Sequence, residues 1–335
     1  MPIQINDRYF KGHIALFGAN LIFGLNTPIS KALLGHPQIT PFAVTFFRMT
    51  GAALLFWLVA LMGKREPVKA KDLMLLFFAS FFGIQLNQTA FYTGLAMTSP
   101  VDASVITTLV PILTMPLAAL FLKEPVTWKK TIGVIVGAAG ALLLILNSDH
   151  AGRSGASAIG DMFCMLSALS YAIYLTAFRN VIRRYSPVTV MKWMFLFAAV
   201  CTAPLCWESV ASIDYASLPA EAYLQIAYVV IFATFISYML IPVGQKLLRP
   251  TVVSMYNYMQ PIVSSLVAVA LGMDVFGWWK GGASLMVFAG VYIVMLSKSR
   301  AQVEAEMRRK HIQDIRTATV DAGTTEKEQS PGACG

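Results

Sequence analysis

From Thr251 to Met273 no residue carries a formal charge, and runs of this kind recur along the whole chain. A stretch of about 20 apolar residues wound as a helix matches the hydrocarbon thickness of a bilayer, so each run is a candidate crossing. Ten qualify, at approximately 12–34, 42–62, 72–95, 101–122, 130–147, 159–181, 188–207, 222–245, 251–272 and 278–297. Composition agrees: 57% of the 335 residues are hydrophobic and 13% charged, a balance foreign to soluble domains. These runs predict an all-α integral membrane protein of ten transmembrane helices. The first run is too long for a signal-peptide core and lacks a small-residue cleavage site behind it, so it is retained as a span.

The net charge of +9 gains meaning from its placement. With the N-terminus in the cytoplasm, Lys64, Arg65, Lys69 and Lys71, Lys123, Lys129 and Lys130, Arg183 and Arg184, and Lys246 and Arg249 fall on cytoplasmic segments. The outer face receives little beyond Arg153 and Lys280, with Lys31 at its edge. This follows the positive-inside rule, places both termini in the cytoplasm, and argues against a nucleic-acid partner. After Ser297 the sequence turns polar and reads as a largely disordered tail over 298–335. Cys164, Cys201, Cys206 and Cys334 form no C-x-x-C pair, and three of them lie within spans, which suits small apolar packing rather than a disulfide framework or zinc site.

Shifting the chain by 150 residues aligns Gly94 with Gly244, Pro100 with Pro250, Pro111 with Pro261, Glu124 with Asp274, Trp128 with Trp278 and Gly140 with Gly290. A fainter match of similar offset pairs Pro41 with Pro187. Each half then holds five spans, and an odd number forces the copies to cross the bilayer in opposite senses, as in inverted-repeat transporters. The expected units are an N-terminus over 1–11, one five-helix repeat over 12–147, an external linker over 148–158 and a second repeat over 159–297.

The stretch "YTGLAMTSPVDASVITTLVPILTMPLAALFLKEPVTWKKTIGVIVGAAGALLLIL" (92–146), its echo over 242–296, and Arg48 in "TPFAVTFFRMTGAALLF" resemble the drug/metabolite transporter superfamily, EamA type. The resemblance covers 12–297 and implies export or import of amino acids, other metabolites, nucleotide sugars or cationic drugs. The second half departs from the pattern, with Met194 aligned to Arg48 and Asp274 in place of Glu124.

Polar side chains in hydrocarbon are costly, so they should face the bundle interior or a water-filled cavity. Asn20, Gly24, Thr27 and Lys31 share one helical face of the first span. Gln85, Gln88 and Tyr92, flanked by Asn87 and Thr89, do so in the third; Ser104, Thr107 and Thr108 in the fourth; Ser167, Ser170, Tyr171 and Tyr174 in the sixth. Thr234, Ser237 and Tyr238 follow in the eighth, and Tyr256, Asn257, Gln260 and Ser264 in the ninth. From these the expected substrate-binding set is Asn20, Thr27, Gln85, Gln88, Tyr92, Thr107, Tyr171, Tyr174, Ser237, Tyr238, Tyr256, Asn257 and Gln260. Pro28, Pro111, Pro242 and Pro261 each remove an amide donor and free the carbonyl four residues back, giving points of local unwinding around one cavity. Lys31 and Lys192 lie near membrane faces and are expected to snorkel. Arg48, roughly 10 Å inside its span, has three options: snorkelling, binding freed carbonyls, or pairing with Asp102, in a gating or structural role. Glu124 and Asp274 are expected to cap the following helices, with Trp128 and Trp278 at the interface and Gly133, Gly137 and Gly140 offering a close-packing face.

No metal-ligand cluster, H-E-x-x-H, G-x-S-x-G or phosphate-cradling loop occurs, which argues against an enzyme and implies no cofactor. The expectation is a secondary transporter of small polar or amphipathic solutes working by alternating access, amino-acid-like compounds foremost and efflux the leading direction; the alternatives are a nucleotide-sugar or cationic-drug carrier of the same fold and, behind these, a non-transporting membrane scaffold. Its partners are a small-molecule substrate and the lipid bilayer; a coupling ion or counter-substrate stays open, as does the oligomeric state. Short loops, and no N-x-S/T acceptor in a predicted outer loop, point to a bacterial inner membrane.

Overall fold

The computed structural model describes residues 7–63, 65–97, 103, 106, 107, 109–123, 126–146, 158–270 and single positions between 282 and 293. The expectations for Asp102, Ser104, Thr108, Glu124, Asp274, Trp278, the linker over 148–157, most of the tenth span and the tail lie outside the described residues.

Regular structure among the described residues is helical, with no strand. Helix α1 is Asp7–Leu34, α2 Pro41–Met62, α3 Ala70–Met97, α4 Leu109–Leu122, α5 Trp128–Leu146 and α6 Ala158–Ala177. A short helix, α7, covers Arg179–Arg184; α8 is Pro187–Ala211 and α9 Ala220–Leu247. The last continuous element is α10, built from Pro250–Met255, a 3-10 turn at Tyr256–Tyr258 and Met259–Ala270. Four of these, α2, α3, α8 and α9, are long and apolar enough to cross a membrane by length and composition.

Local chemistry explains the starts. Thr40 accepts from the Ala43 amide at 3.1 Å with Pro41 behind it, and Ser186 accepts from the Thr189 amide at 3.2 Å with Pro187 behind it. Each is a hydroxyl N-cap followed by proline at the first helical position, where the missing N–H costs nothing. Thr127 caps α5 without a following proline, accepting from the Lys130 amide at 3.3 Å.

Two interruptions were not expected. Phe81–Leu86 inside α3 and Ile231–Ile236 inside α9 are π-helical, and each lies 150 residues from the other, as do the bounds of α3 and α9 themselves. A π turn carries one residue more than an α turn and leaves carbonyls without their usual donor. The expected uniform sixth span over 159–181 is broken instead at Phe178, whose φ of −100° and ψ of 3° leave the α-helical basin and separate α6 from α7.

Packing runs largely between early and late parts of the chain. On α2 and α8, Phe56 stacks on Phe195 with ring centroids 5.4 Å apart, and Trp57 meets Trp193 edge-on at 5.5 Å. Helix α3 crosses α6 where a Cβ on Gly94 would lie 2.5 Å from the Cys164 sulfur and 2.7 Å from the Gly160 carbonyl, so only glycine fits. Gly133 and Gly137 do pack closely, against Gly290 and Tyr258. On the outside, Leu54, Leu58 and Leu61 form an exposed apolar row, while Arg48 on the same helix is buried. That inversion of the soluble pattern suits a lipid-facing exterior.

Neither lysine extends simply to the membrane face. Lys31 donates to the Leu95 carbonyl at 2.8 Å, tying α1 to the end of α3, and Lys192 lies 5.2 Å above the Trp57 ring and 5.9 Å above Trp193. Both cations find electron-rich partners within the bundle, which offsets the cost of partial burial.

Candidate functional site

A cavity of about 80 Å³ lies at the meeting point of α1, α2, α3, α4, α6, α9 and α10. Its walls are Phe23, Asn26 and Thr27; Arg48; Asn87, Gln88, Phe91 and Tyr92; Thr107 and Val110; Ser167, Ala168 and Tyr171; Tyr238 and Ile241; and Asn257 and Gln260. Among the described residues the lining mixes aromatic faces, carboxamides and hydroxyls with a single cation and no carboxylate.

Arg48 is 1% exposed, which overturns snorkelling. Its guanidinium donates to the Tyr92 hydroxyl and, at 3.2 Å, to the carbonyl of Ala233, and its carbon lies 5.1 Å from the Tyr92 ring centroid. Ala233 belongs to the π turn of α9, so the option of a freed carbonyl is the one adopted; the carbonyl is released by a π turn and not by proline. A counterpart runs the other way: Ser170 on α6 donates at 2.6 Å to the carbonyl of Phe82 in the π turn of α3.

Tyr92 is also approached by Asn26, which donates at 3.1 Å and accepts from Ser30 at 3.1 Å. Gln88 donates to the Tyr238 hydroxyl. Asn87 donates to the carbonyl and hydroxyl of Ser167 at 3.0 and 2.9 Å. The Asn257 carboxamide, by contrast, has no hydrogen-bond partner among the described residues although it is buried. Its helix carries the 3-10 turn at Tyr256–Tyr258 ahead of Pro261, so the break expected here is a tightening of the helix rather than unwinding.

Of the expected set, Thr27, Gln88, Tyr92, Thr107, Tyr171, Tyr238, Asn257 and Gln260 line the cavity, together with Arg48. Five do not. Asn20 lies behind Gln260, accepting from it at 2.9 Å and donating to the Leu16 carbonyl at 2.8 Å. Gln85 donates to the Ala198 carbonyl at 3.3 Å and so joins α3 to α8. Tyr174 donates to Gln245 at 3.2 Å, and Ser237 to the Phe232 carbonyl at 3.1 Å in the π turn before it. Tyr256 meets His13 at 2.6 Å. Asn26, Phe23 and Phe91 were missed, although Phe23, Asn26, Thr27 and Ser30 have the spacing of one helical stripe and carried the signal.

A second polar cluster sits at the bundle end where α2 leads into α3 and α7 into α8. The buried Asp72 carboxylate accepts from Arg184 at 2.7 Å and from the Tyr185 hydroxyl at 2.6 Å. Glu66 accepts from the Ser186 amide at 2.9 Å and its hydroxyl at 2.7 Å. Burial pushes the Glu66 carboxyl up, but hydrogen bonds from Thr189 and Ser186, with the charge of Lys246, outweigh it and hold it below its ordinary value.

The EamA-like transporter family profile matches residues 10–146 and again 158–296. The chain belongs to this family. An Archaeoglobus fulgidus protein named an uncharacterized transporter is 27% identical over 259 residues, 77% of this chain and 89% of its own. The Bacillus subtilis uncharacterized transporter YyaM is 22% identical over 276 residues, 82% of this chain and 90% of its own. The Arabidopsis thaliana WAT1-related protein At1g43650 is 24% identical over 326 residues, 87% and 92% respectively. A protein crystal structure with 18% identity superposes at a TM-score of 0.67 over 85% of this chain and 96% of its own, a likeness of fold. The EamA protein is thus a membrane transporter of the drug/metabolite type, and its Archaeoglobus and Bacillus relatives are named as transporters rather than enzymes.

Proposed function

We propose that this EamA transporter carries small polar or amphipathic solutes, amino-acid-like compounds foremost, through the central cavity by alternating access, with efflux the leading direction. The carrying observation is that one cavity draws on both stretches matched by the family: Asn26, Arg48, Gln88 and Tyr92 from the first, Tyr171, Tyr238 and Asn257 from the second. A site divided in this way changes shape when the two stretches move relative to one another, which is what exposing a solute to alternate faces requires.

The 150-residue correspondence of α3 with α9, π turns included, supports two five-helix repeats of opposite sense. On this reading the chain has ten spans in a bacterial inner membrane, and the positive-inside distribution of lysine and arginine supports cytoplasmic termini. In that orientation the Asp72 and Glu66 cluster closes the cytoplasmic end, linking the first repeat to the second, while the cavity waits beyond it.

Flux of labelled solutes into proteoliposomes tests the assignment. Asn257→Ala and Gln260→Ala are expected to reduce transport at least tenfold while the protein still inserts and purifies normally. Unchanged flux in both would remove α10 from the solute path.

A further inference from the structure

We infer that Arg48 is the anion-binding element of the cavity, so that the transported solute is recognised through a single carboxylate and needs no ammonium group. This deepens the solute-cavity reading above and rests on it. Among the described residues the Arg48 guanidinium has no carboxylate partner, and its two hydrogen bonds go to a neutral hydroxyl and a neutral carbonyl. They occupy two of five N–H donors, and Nε donates to nothing. A guanidinium held this way, 1% exposed, is costly unless something neutralises it. For comparison, the buried Asp72 carboxylate has Arg184 beside it. Asp72 is thus neutralised from within the protein, whereas Arg48 meets no acidic side chain among the described residues.

Charge matching sets the class of solute. Among the described residues the lining sets one guanidinium against no acidic side chain, which balances one carboxylate, and a planar fork is well suited to it. A free cation gains nothing in such a cavity. A zwitterion keeps its carboxylate contact, while among the described residues its ammonium meets amides, hydroxyls and the aromatic rings of the lining rather than a carboxylate. The volume of about 80 Å³ is well below the roughly 300–1,000 Å³ of pockets for drug-sized ligands, so the state described accepts a compact solute.

Lactate, alanine and isopropylamine share one carbon skeleton and separate the carboxylate from the ammonium. Thermal unfolding of the purified full-length protein, titrated with each at constant ionic strength, is expected to give saturable stabilisation by lactate and alanine, lactate at least as tightly bound, and none by isopropylamine. Arg48→Gln should weaken both carboxylates at least tenfold while leaving the unliganded melting temperature unchanged or raised, since it removes an uncompensated buried charge. Arg48→Lys keeps the charge without the fork and should bind with intermediate affinity, which keeps the test open if the glutamine variant does not fold. Stabilisation by isopropylamine equal to that by lactate, no stabilisation by any of the three, or carboxylate affinity indifferent to Arg48→Gln would each overturn the inference. Asn257→Ala separates the two readings. A solute whose flux depends on Asn257 and not on Arg48 leaves the cavity standing and removes the carboxylate assignment; flux indifferent to both removes the cavity itself.

Discussion

The central cavity and the charged cluster at the bundle end both join early and late parts of the chain, yet they treat polar groups in opposite ways. At the cluster, Asp72 has two donors, Arg184 and Tyr185, and Glu66 has the Ser186 amide and hydroxyl. At the cavity, Arg48 lacks a counter-charge and Asn257 a partner among the described residues; away from the cavity, on the helix of Asn257, Tyr258 packs against Gly137 and buries a hydroxyl without a partner. Satisfied groups add stability; unsatisfied ones subtract from it and persist where a visiting molecule completes them. The two regions are therefore separable by experiment, one through stability and the other through binding.

The largest stability effect is expected at the cluster. Asp72→Ala strands the Tyr185 hydroxyl and frees Arg184, and should destabilise the detergent-solubilised protein by about 2–3 kcal/mol, read from its unfolding transition. The side chain of Arg184 is 58% exposed, so the full loss for breaking a buried pair does not apply. Glu66→Gln should cost about 1 kcal/mol, because a weaker neutral acceptor replaces a carboxylate at Ser186. It also removes a pH dependence. The Glu66 carboxyl is held below its unfolded value of 4.5, so its contribution is complete above that pH and is lost as pH falls through the depressed folded value. Melting curves in this acid range should converge for wild type and Glu66→Gln.

The smallest effect should come from Tyr258→Phe, which deletes an unpartnered hydroxyl and keeps the ring against Gly137. Stability should stay within about 0.5 kcal/mol of wild type or rise slightly. A loss matching that of Asp72→Ala would collapse the distinction between the regions.

Much of this was legible in the sequence, for identifiable reasons. Long apolar runs mark spans because no alternative satisfies the backbone in hydrocarbon. The 150-residue offset was visible in Gly94 and Gly244 or Pro111 and Pro261, and it anticipates the bounds of α3 and α9. Gln88, Tyr92, Tyr238 and Asn257 stood out because amides and phenols are costly in mid-span and need a shared interior. What stayed hidden depends on partners far along the chain. Asp72 and Glu66 look like ordinary loop-side charges until Arg184 and Ser186 arrive from more than 100 residues away. Gln85 and Tyr174 read as cavity groups because spacing along one helix does not tell which neighbour takes the proton. The π turns left no trace, since "FFGIQL" and "IFATFI" contain neither proline nor charge.

Those turns act as a vernier on the helices that contain them. Each extra residue advances the helical phase by roughly 100° and the axis by about 1.5 Å. Gln88 and Tyr92 come after the wide turn of α3, and Tyr238 and Ile241 after that of α9. The angular setting at which these four side chains face the cavity thus depends on two single-residue insertions in backbone where no side chain announces them.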